Sequence, residues 1–259
     1  MKSIKEIELE FEKADDDRLS ELFRIYEEDR RSGVASLLRR YRRRRELRQA
    51  EEERLGRMRR YENEYRDLDY ICGIDEVGRG PLAGPVFAGA VILPRDCRIL
   101  YINDSKKLSP ERREELSAEI YEKAVAVGIG SASPQRIDEI NILQATYEAM
   151  RMAVKELGIV PDILLNDAVT IPGISIKQVP IIKGDAKSMS IAAASIVAKV
   201  ARDHVMEEYD KEIPGYGFAA NKGYGTAEHI EALKRLGPSP IHRWSFIGHF
   251  TESESCDGK

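Results

Sequence analysis

No run in the 259-residue chain approaches the roughly 18 apolar residues that a membrane span needs, and Met1 to Glu6 hold no apolar core for a signal peptide. Cysteine is scarce: Cys72, Cys97 and Cys256 are odd in number and lack metal-ligand spacing. That argues against a disulfide framework or a zinc site and makes a reduced cytoplasm the expected setting. A GxxxxGK(S/T) loop is absent, so a P-loop nucleotidase is not supported. Gly78, Gly80 and Gly84 form GxGxxxG, a near miss for the dinucleotide fingerprint, but Pro81 and the acids before it argue against that reading. There is no internal repeat and no proline before Asp69.

What is present is a soluble globular composition, 42% hydrophobic and 33% charged. The length suits one sizeable α/β domain with an appendage, or two small domains. The formal net charge of -4 averages over uneven blocks. Residues up to Asp29 are acidic on balance, whereas Arg30 to Arg60 is basic, with Arg39, Arg40, Arg42, Arg43, Arg44, Arg45 and Arg48 close together. Such a run is most often a solvated face; its concentration also suits a helical arm gripping an anionic duplex. Residues 1–69 read as two helices interrupted at Ser32-Gly33, with Ser32 as a cap and Val34, Leu37, Leu38 and Tyr41 on one apolar face.

After Asp69 the pattern changes. Tyr70 to Val77, Pro85 to Leu93, Ala124 to Ala132, Asp162 to Leu165 and Val179 to Ile182 read as strands. Pro110 to Lys123, Pro134 to Leu157, Ala186 to Tyr209 and Ala227 to Leu236 read as helices, and the alanines from Ala192 to Ala201 suit close packing on a sheet. The expectation is an α/β sheet of mixed direction.

Four carboxylates fall at or just past the ends of apolar strands: Asp75, Glu76, Asp167 and Asp185. Ligands collect at such ends in open α/β sheets. Acids converging without His or Cys prefer hard cations, Mg²⁺ or Mn²⁺, and two such ions ~3.5–4 Å apart clamp a phosphodiester. Taken singly, each acid is equally an ordinary cap or loop residue. Neighbours on a regular strand also point to opposite faces, so Asp75 and Glu76 should share a site only if the strand ends at Asp75 or bulges there.

The segment GIDEVGRGPLAGP (Gly73 to Pro85) resembles the opening motif of the bacterial ribonuclease HII family. The likeness continues through NDSKKLS (Asn103 to Ser109), RIDEINILQAT (Arg136 to Thr146), LLNDA (Leu164 to Ala168), KGDAKSMSIAAASIVAKVARD (Lys183 to Asp203), YGFAANKGYGT (Tyr216 to Thr226) and HRWSF (His242 to Phe246). Arg79 between the glycines separates it from the sister ribonuclease HIII. The resemblance implies a ribonuclease H-like fold, with a five-stranded mixed sheet flanked by helices over residues 70–250. It implies a metal-dependent endoribonuclease, a hydrolase cutting 5′ of ribonucleotides in duplex DNA and the RNA of RNA–DNA hybrids in ribonucleotide excision repair. Products would carry a 3′-hydroxyl and a 5′-phosphate. It places two Mg²⁺ or Mn²⁺ ions on Asp75, Glu76, Asp167 and Asp185, with Asp75 bridging, and ribose 2′-hydroxyl recognition on Gly78, Arg79, Gly80 and Tyr224.

Phosphate contacts are expected from Lys106, Lys107, Lys183, Lys187, Lys199, Arg202 and Lys222, with His242 and Arg243 as further candidates. Asn166 stands where the family usually has an apolar residue, which should weaken its strand, and Trp244 where a basic one is common. The polar tail over 251–259 lacks a sliding-clamp box, and the chain is expected to act as a monomer. The competing expectation is a non-catalytic nucleic-acid-binding protein held to its partner by the arginine-rich segment.

Overall fold

The computed structural model describes residues 2–251; Cys256 and residues 252–259 of the tail lie outside the described residues. The chain divides into two compact units, residues 1–56 and 57–259. No described helix is long and apolar enough to cross a membrane.

The first unit holds α1 (Ile4–Glu12), α2 (Asp16–Tyr26) and most of α3 (Ser32–Met58). Sequence reasoning expects a single helix before Ser32. Asp15 divides it, because its carboxylate accepts the Arg18 N–H at 2.9 Å and starts a new helix. Ser32 is the first residue of α3 and not a cap outside it. Val34, Leu37, Leu38 and Tyr41 form the expected face, packed with Ile7, Phe11, Leu22 and Phe23 into a small core. The arginine run is partly neutralised within the unit: Arg40 pairs with Glu8, Arg42 with Glu27, Arg43 with Glu46 and Arg48 with Glu52.

The second unit opens with α4 (Arg60–Glu64) and continues with β1 (Ile71–Val77), β2 (Val86–Ile92), α5 (Pro110–Lys123) and β3 (Ala126–Ala132). Next come α6 (Pro134–Glu156), β4 (Ile163–Asp167), β5 (Lys177–Ile181) and α7 (Met189–Glu212). It closes with α8 (Phe218–Asn221), α9 (Ala227–Leu236) and α10 (Trp244–Thr251). The five strands form one mixed sheet in the order β3-β2-β1-β4-β5. β1 and β2 are antiparallel, as are β2 and β3, whereas β4 runs parallel to β1 and to β5.

α6 and α7 pack on the sheet, and α7 lies very close to β1. A methyl group on Gly73 would sit 2.1 Å from the Ser190 carbonyl carbon, so only glycine admits the helix there. Ala192, Ala193 and Ala194 are fully buried in the same contact, as their small size suggested. α6 is kinked at Asn141, whose backbone is left-handed (φ 67°) and whose amide oxygen accepts the Leu143 and Gln144 N–H groups. Asn166, fully buried on β4, donates to Gln178 Oε1 at 2.8 Å and to the Val169 carbonyl at 3.1 Å, which offsets much of its burial penalty.

Candidate active site

β1 runs in unbroken register against β2 through Asp75↔Gly89, Glu76↔Ala88 and Val77↔Phe87. The strand therefore neither ends at Asp75 nor bulges, contrary to both routes the sequence suggested. The freedom comes from the other edge. Pairing with β4 stops at Ile74↔Asn166, so Asp75 and Glu76 occupy a strand end open on that side. Asp167 ends β4, and Asp185 lies in a short 3₁₀ turn (Gly184–Ala186) after β5. All four acids thus gather at one end of the parallel part of the sheet.

Their charges are coupled. Burial and the Glu76 charge push the Asp75 carboxyl well above its usual range, with Asp167 adding to the rise and Ser195 opposing it. Burial raises Glu76 too, against the opposing pull of Arg79, whose guanidinium stands 3.3 Å from its Oε1. Asp185 is raised by burial and by the charges of Asp104 and Asp167. Asp167 is the common neighbour of the other three, and its Oδ1 accepts the Gly184 N–H at 2.7 Å.

Two features bear on whether a cation fits. Glu76 Oε2 is buried without a hydrogen-bond partner, and among the described residues the four oxygen-donor acids are met by the Arg79 ion pair at Glu76 and by the Lys106 charge near Asp185. Among the described residues no three acid, His or Cys side chains already form a closed ligand cluster. Asp75, Glu76 and Asp185 each stand within electrostatic range of Asp167, short of a preformed cage. An all-oxygen donor set of this charge suits a hard divalent ion.

Beside the acids lie two interlocked loops. Gly78 (φ 88°) gives the GRG turn its left-handed backbone, and a methyl group there would meet Arg202 Nε at 2.2 Å. The Gly223 carbonyl accepts the Leu82 N–H at 2.8 Å, which ties the KGYGT loop to the GRG loop. Arg79 and Gly80 are exposed and Tyr224 is 40% exposed, so all three are available to a ligand.

Two candidate phosphate contacts are corrected. Arg202 is fully buried and its guanidinium donates to the carbonyls of Pro85, Lys222 and Ala83. Arg243 is also fully buried and donates to Gly78, Arg79 and Gly84. Both brace the loops from behind and cannot reach a phosphate. His242, 1% exposed, is equally withdrawn. Burial pushes His242 down to about 4, with the neighbouring His229 charge contributing, and lowers His229 as well.

Lys106, Lys107, Lys183 and Lys187 are exposed. Lys199 and Lys222 are bound to Asp203 and Glu207 at 2.6 Å each. These two, with Lys106, Arg113 and Tyr224, line a cleft of about 700 Å³. Sequence reasoning missed Ser105 and Ser195, linked at 2.9 Å behind Asp75, and Asp104 beside Asp185.

A five-stranded mixed sheet with acids gathered at one end, flanked by glycine loops and a lysine-lined cleft, defines a ribonuclease H-like hydrolase. The family description "Ribonuclease HII" matches residues 72–249, and "Ribonuclease HII N-terminal domain" matches residues 3–66. Ribonuclease HII of Lachnoclostridium phytofermentans is 68% identical over 226 residues, covering 87% of this chain and 89% of that protein. Ribonuclease HII of Clostridioides difficile is 49% identical over 248 residues, covering 95% and 97%. A solved structure, the PCNA:RNase HII complex from Archaeoglobus fulgidus, superposes with TM-score 0.60 at 28% identity, covering 71% of this chain and 98% of that one. The chain belongs to the ribonuclease HII family and is a type 2 ribonuclease H endonuclease.

Proposed function

We propose that this enzyme hydrolyses the phosphodiester on the 5′ side of ribonucleotides in duplex DNA, and in the RNA of RNA–DNA hybrids, leaving a 3′-hydroxyl and a 5′-phosphate. The observation that carries the reading is the gathering of Asp75, Glu76, Asp167 and Asp185 at one sheet end, with Asp167 neighbouring the other three, beside a glycine loop and an exposed tyrosine. These four acids would hold Mg²⁺ or Mn²⁺, two ions per site. When bound, such ions lower the pKa of water and stabilise charge on a phosphodiester in displacement.

The chain's own groups do the rest. The backbone at Gly78 and Gly80 comes close to the sugar because neither carries a Cβ to hold it off, and the Tyr224 hydroxyl bonds the 2′-hydroxyl while its ring packs on the adjacent deoxyribose. Lys106, Lys107, Lys183 and Lys187 stand free on the surface to meet phosphates, and Lys199 and Lys222 line the cleft beside Tyr224. These contacts set register and carry no sequence information. The arginine-rich first unit adds affinity for flanking duplex without reading its bases.

The test is cleavage of an end-labelled duplex containing one ribonucleotide, with Mg²⁺ or Mn²⁺, beside an all-DNA control. One nick 5′ of the ribonucleotide, abolished by chelator, is expected. Tyr224→Ala should bind this duplex and cut it poorly. Cutting confined to long hybrids would remove the single-ribonucleotide reading, and metal-independent cutting would remove the carboxylate assignment.

A further inference from the structure

Behind Tyr224 runs a chain of buried polar groups that neither the acids nor the lysines involve. The Tyr224 carbonyl lies 2.8 Å from His229 Nδ1, His229 Nε2 lies 3.0 Å from His242 Nε2, and His242 Nδ1 lies 2.9 Å from the Ser239 N–H and 2.7 Å from Ser239 Oγ. Chemistry fixes every proton. A carbonyl only accepts, so His229 Nδ1 donates and its Nε2 is bare. A backbone N–H only donates, so His242 Nδ1 is bare and its proton sits on Nε2, aimed at His229. Both rings are neutral in a single tautomeric arrangement, and every donor has its acceptor.

The relay is held rigid. His229 and His242 are 0% and 1% exposed, and the rings of Phe218 and Tyr216 pack against them, with Phe218 edge-on to His229 at 5.4 Å and Tyr216 5.1 Å from His242. At the other end the Tyr224 N–H donates to the Asn221 carbonyl at 2.9 Å. The peptide is therefore fixed on both sides while its ring faces outward.

Ser239, where the relay starts, lies four residues before Arg243, which grips Gly78, Arg79 and Gly84. Within this segment His242 also bridges to Ala83 through the backbone. One short stretch, Ser239 to Arg243, thus anchors both the GRG loop and Tyr224.

We propose that His229 and His242 are positioning residues for ribose recognition, holding the peptide from which Tyr224 projects in register with the GRG loop. The proposal rests on the reading that Tyr224 contacts the ribose. Neither histidine touches substrate.

The experiment measures kcat and KM on a single-ribonucleotide duplex for His229→Phe, His229→Asn, His242→Asn, Tyr224→Ala and the Tyr224→Ala/His229→Phe double variant, each with its melting temperature. His229→Phe removes the side-chain bond to the Tyr224 carbonyl, leaving the Thr226 N–H at 2.8 Å, and should lower kcat/KM about tenfold, the worth of one hydrogen bond. His229→Asn can still donate to the carbonyl and should recover most of that loss. His242→Asn keeps the Ser239 bond, cuts the link to His229 and should fall between them.

In the Tyr224→Ala background, His229→Phe should change kcat/KM by less than about twofold, because residues acting as one unit are not additive. Additive losses, or no loss in His229→Phe, would overturn the relay while leaving Tyr224 as the reader. If His229→Phe does not fold, the Asn variants decide: equal, wild-type activity in both overturns the proposal. Wild-type cutting by Tyr224→Ala would overturn the ribose-reading role and the relay with it.

Discussion

Two truncations that differ by 13 residues should behave differently. Removing residues 1–56 leaves the second compact unit whole. Removing residues 1–69 also takes away α4 and the chain after it. Glu62 Oε1 accepts from Ser188 Oγ at 2.6 Å and from the Ser190 N–H at 2.9 Å, so a carboxylate sits on the N-terminus of α7. Losing this cap and its dipole interaction costs about 1–3 kcal/mol. Tyr61, Tyr65 and Leu68 pack, partly buried, on the cluster of Ile71, Ile163, Leu165, Ile181 and Ile191. Exposing that cluster adds about 1 kcal/mol for each of the three.

The total, about 4–6 kcal/mol, should lower the melting temperature of the shorter protein by ~8–24 °C relative to the 57–259 protein at 2–4 °C per kcal/mol. Asp185 lies three residues before Ser188, so kcat should fall with stability in the shorter protein only, whereas both proteins lose the first unit's duplex affinity. Calorimetry of the two proteins at one pH and salt concentration makes the comparison. Equal melting temperatures would refute the view that α4 belongs to the catalytic unit.

Asp75→Asn should lose about 10³-fold or more in cleavage, since several kcal/mol of charge stabilisation depend on that ligand. It should bind duplex as well as or better than wild type and melt higher, because burial and Glu76 disfavour the Asp75 anion; a nicking assay, a binding titration and a melt check this. The His242 pKa falls to about 4, so the unfolded chain takes up a proton that the fold refuses. Stability should be full above the ordinary histidine pKa and drop as pH falls towards 4, by about 2 kcal/mol between pH 7 and 5, and His242→Asn should flatten that part of the urea-unfolding profile. Lys106→Ala should reduce the slope of log binding constant against log salt by about 1, whereas Arg202→Met should leave the slope unchanged and lower the melting temperature, as expected of a brace and not a phosphate contact.

The catalytic unit was largely legible because its signals are local. The boundaries expected for α5 and α9 coincide with those observed, since each opens on a Ser or Thr cap and the second stops at Gly237. The acids stood out because each falls at or just past the end of an apolar run, and the structure gathers them at one sheet end. What sequence position could not convey is which charges are buried. Arg202 looked like a groove cation, yet it lies four residues from both Ala198 and Met206, and all three are fully buried. His229 likewise shares the inward face of α9 with Ala232 and Leu233. Reading the helical face would have exposed the Arg202 error and pointed to His229, which sequence reasoning did not single out. The open edge of β1 beyond Ile74 was invisible because it depends on where β4 stops pairing, a long-range fact.

The unfavourable electrostatics of the catalytic unit concentrate in one place. Among the described residues neither Arg202 nor Arg243 makes an ion pair, and burial lowers the pKa of both guanidiniums, Arg243 to about 9. Across the GRG loop the acids repel one another, with Arg79 as a partly exposed counter-charge. Each buried cation satisfies carbonyls that an apolar replacement would leave unpaired. Carbonyl hydrogen bonds hold the cations directly behind the loop, and the sheet end holds the acids in front of it. The surface between them presents exposed Arg79 and Gly80 and the 40% exposed Tyr224. Protonation of the acids would relieve the repulsion in front of the loop without disturbing the carbonyl hydrogen bonds behind it.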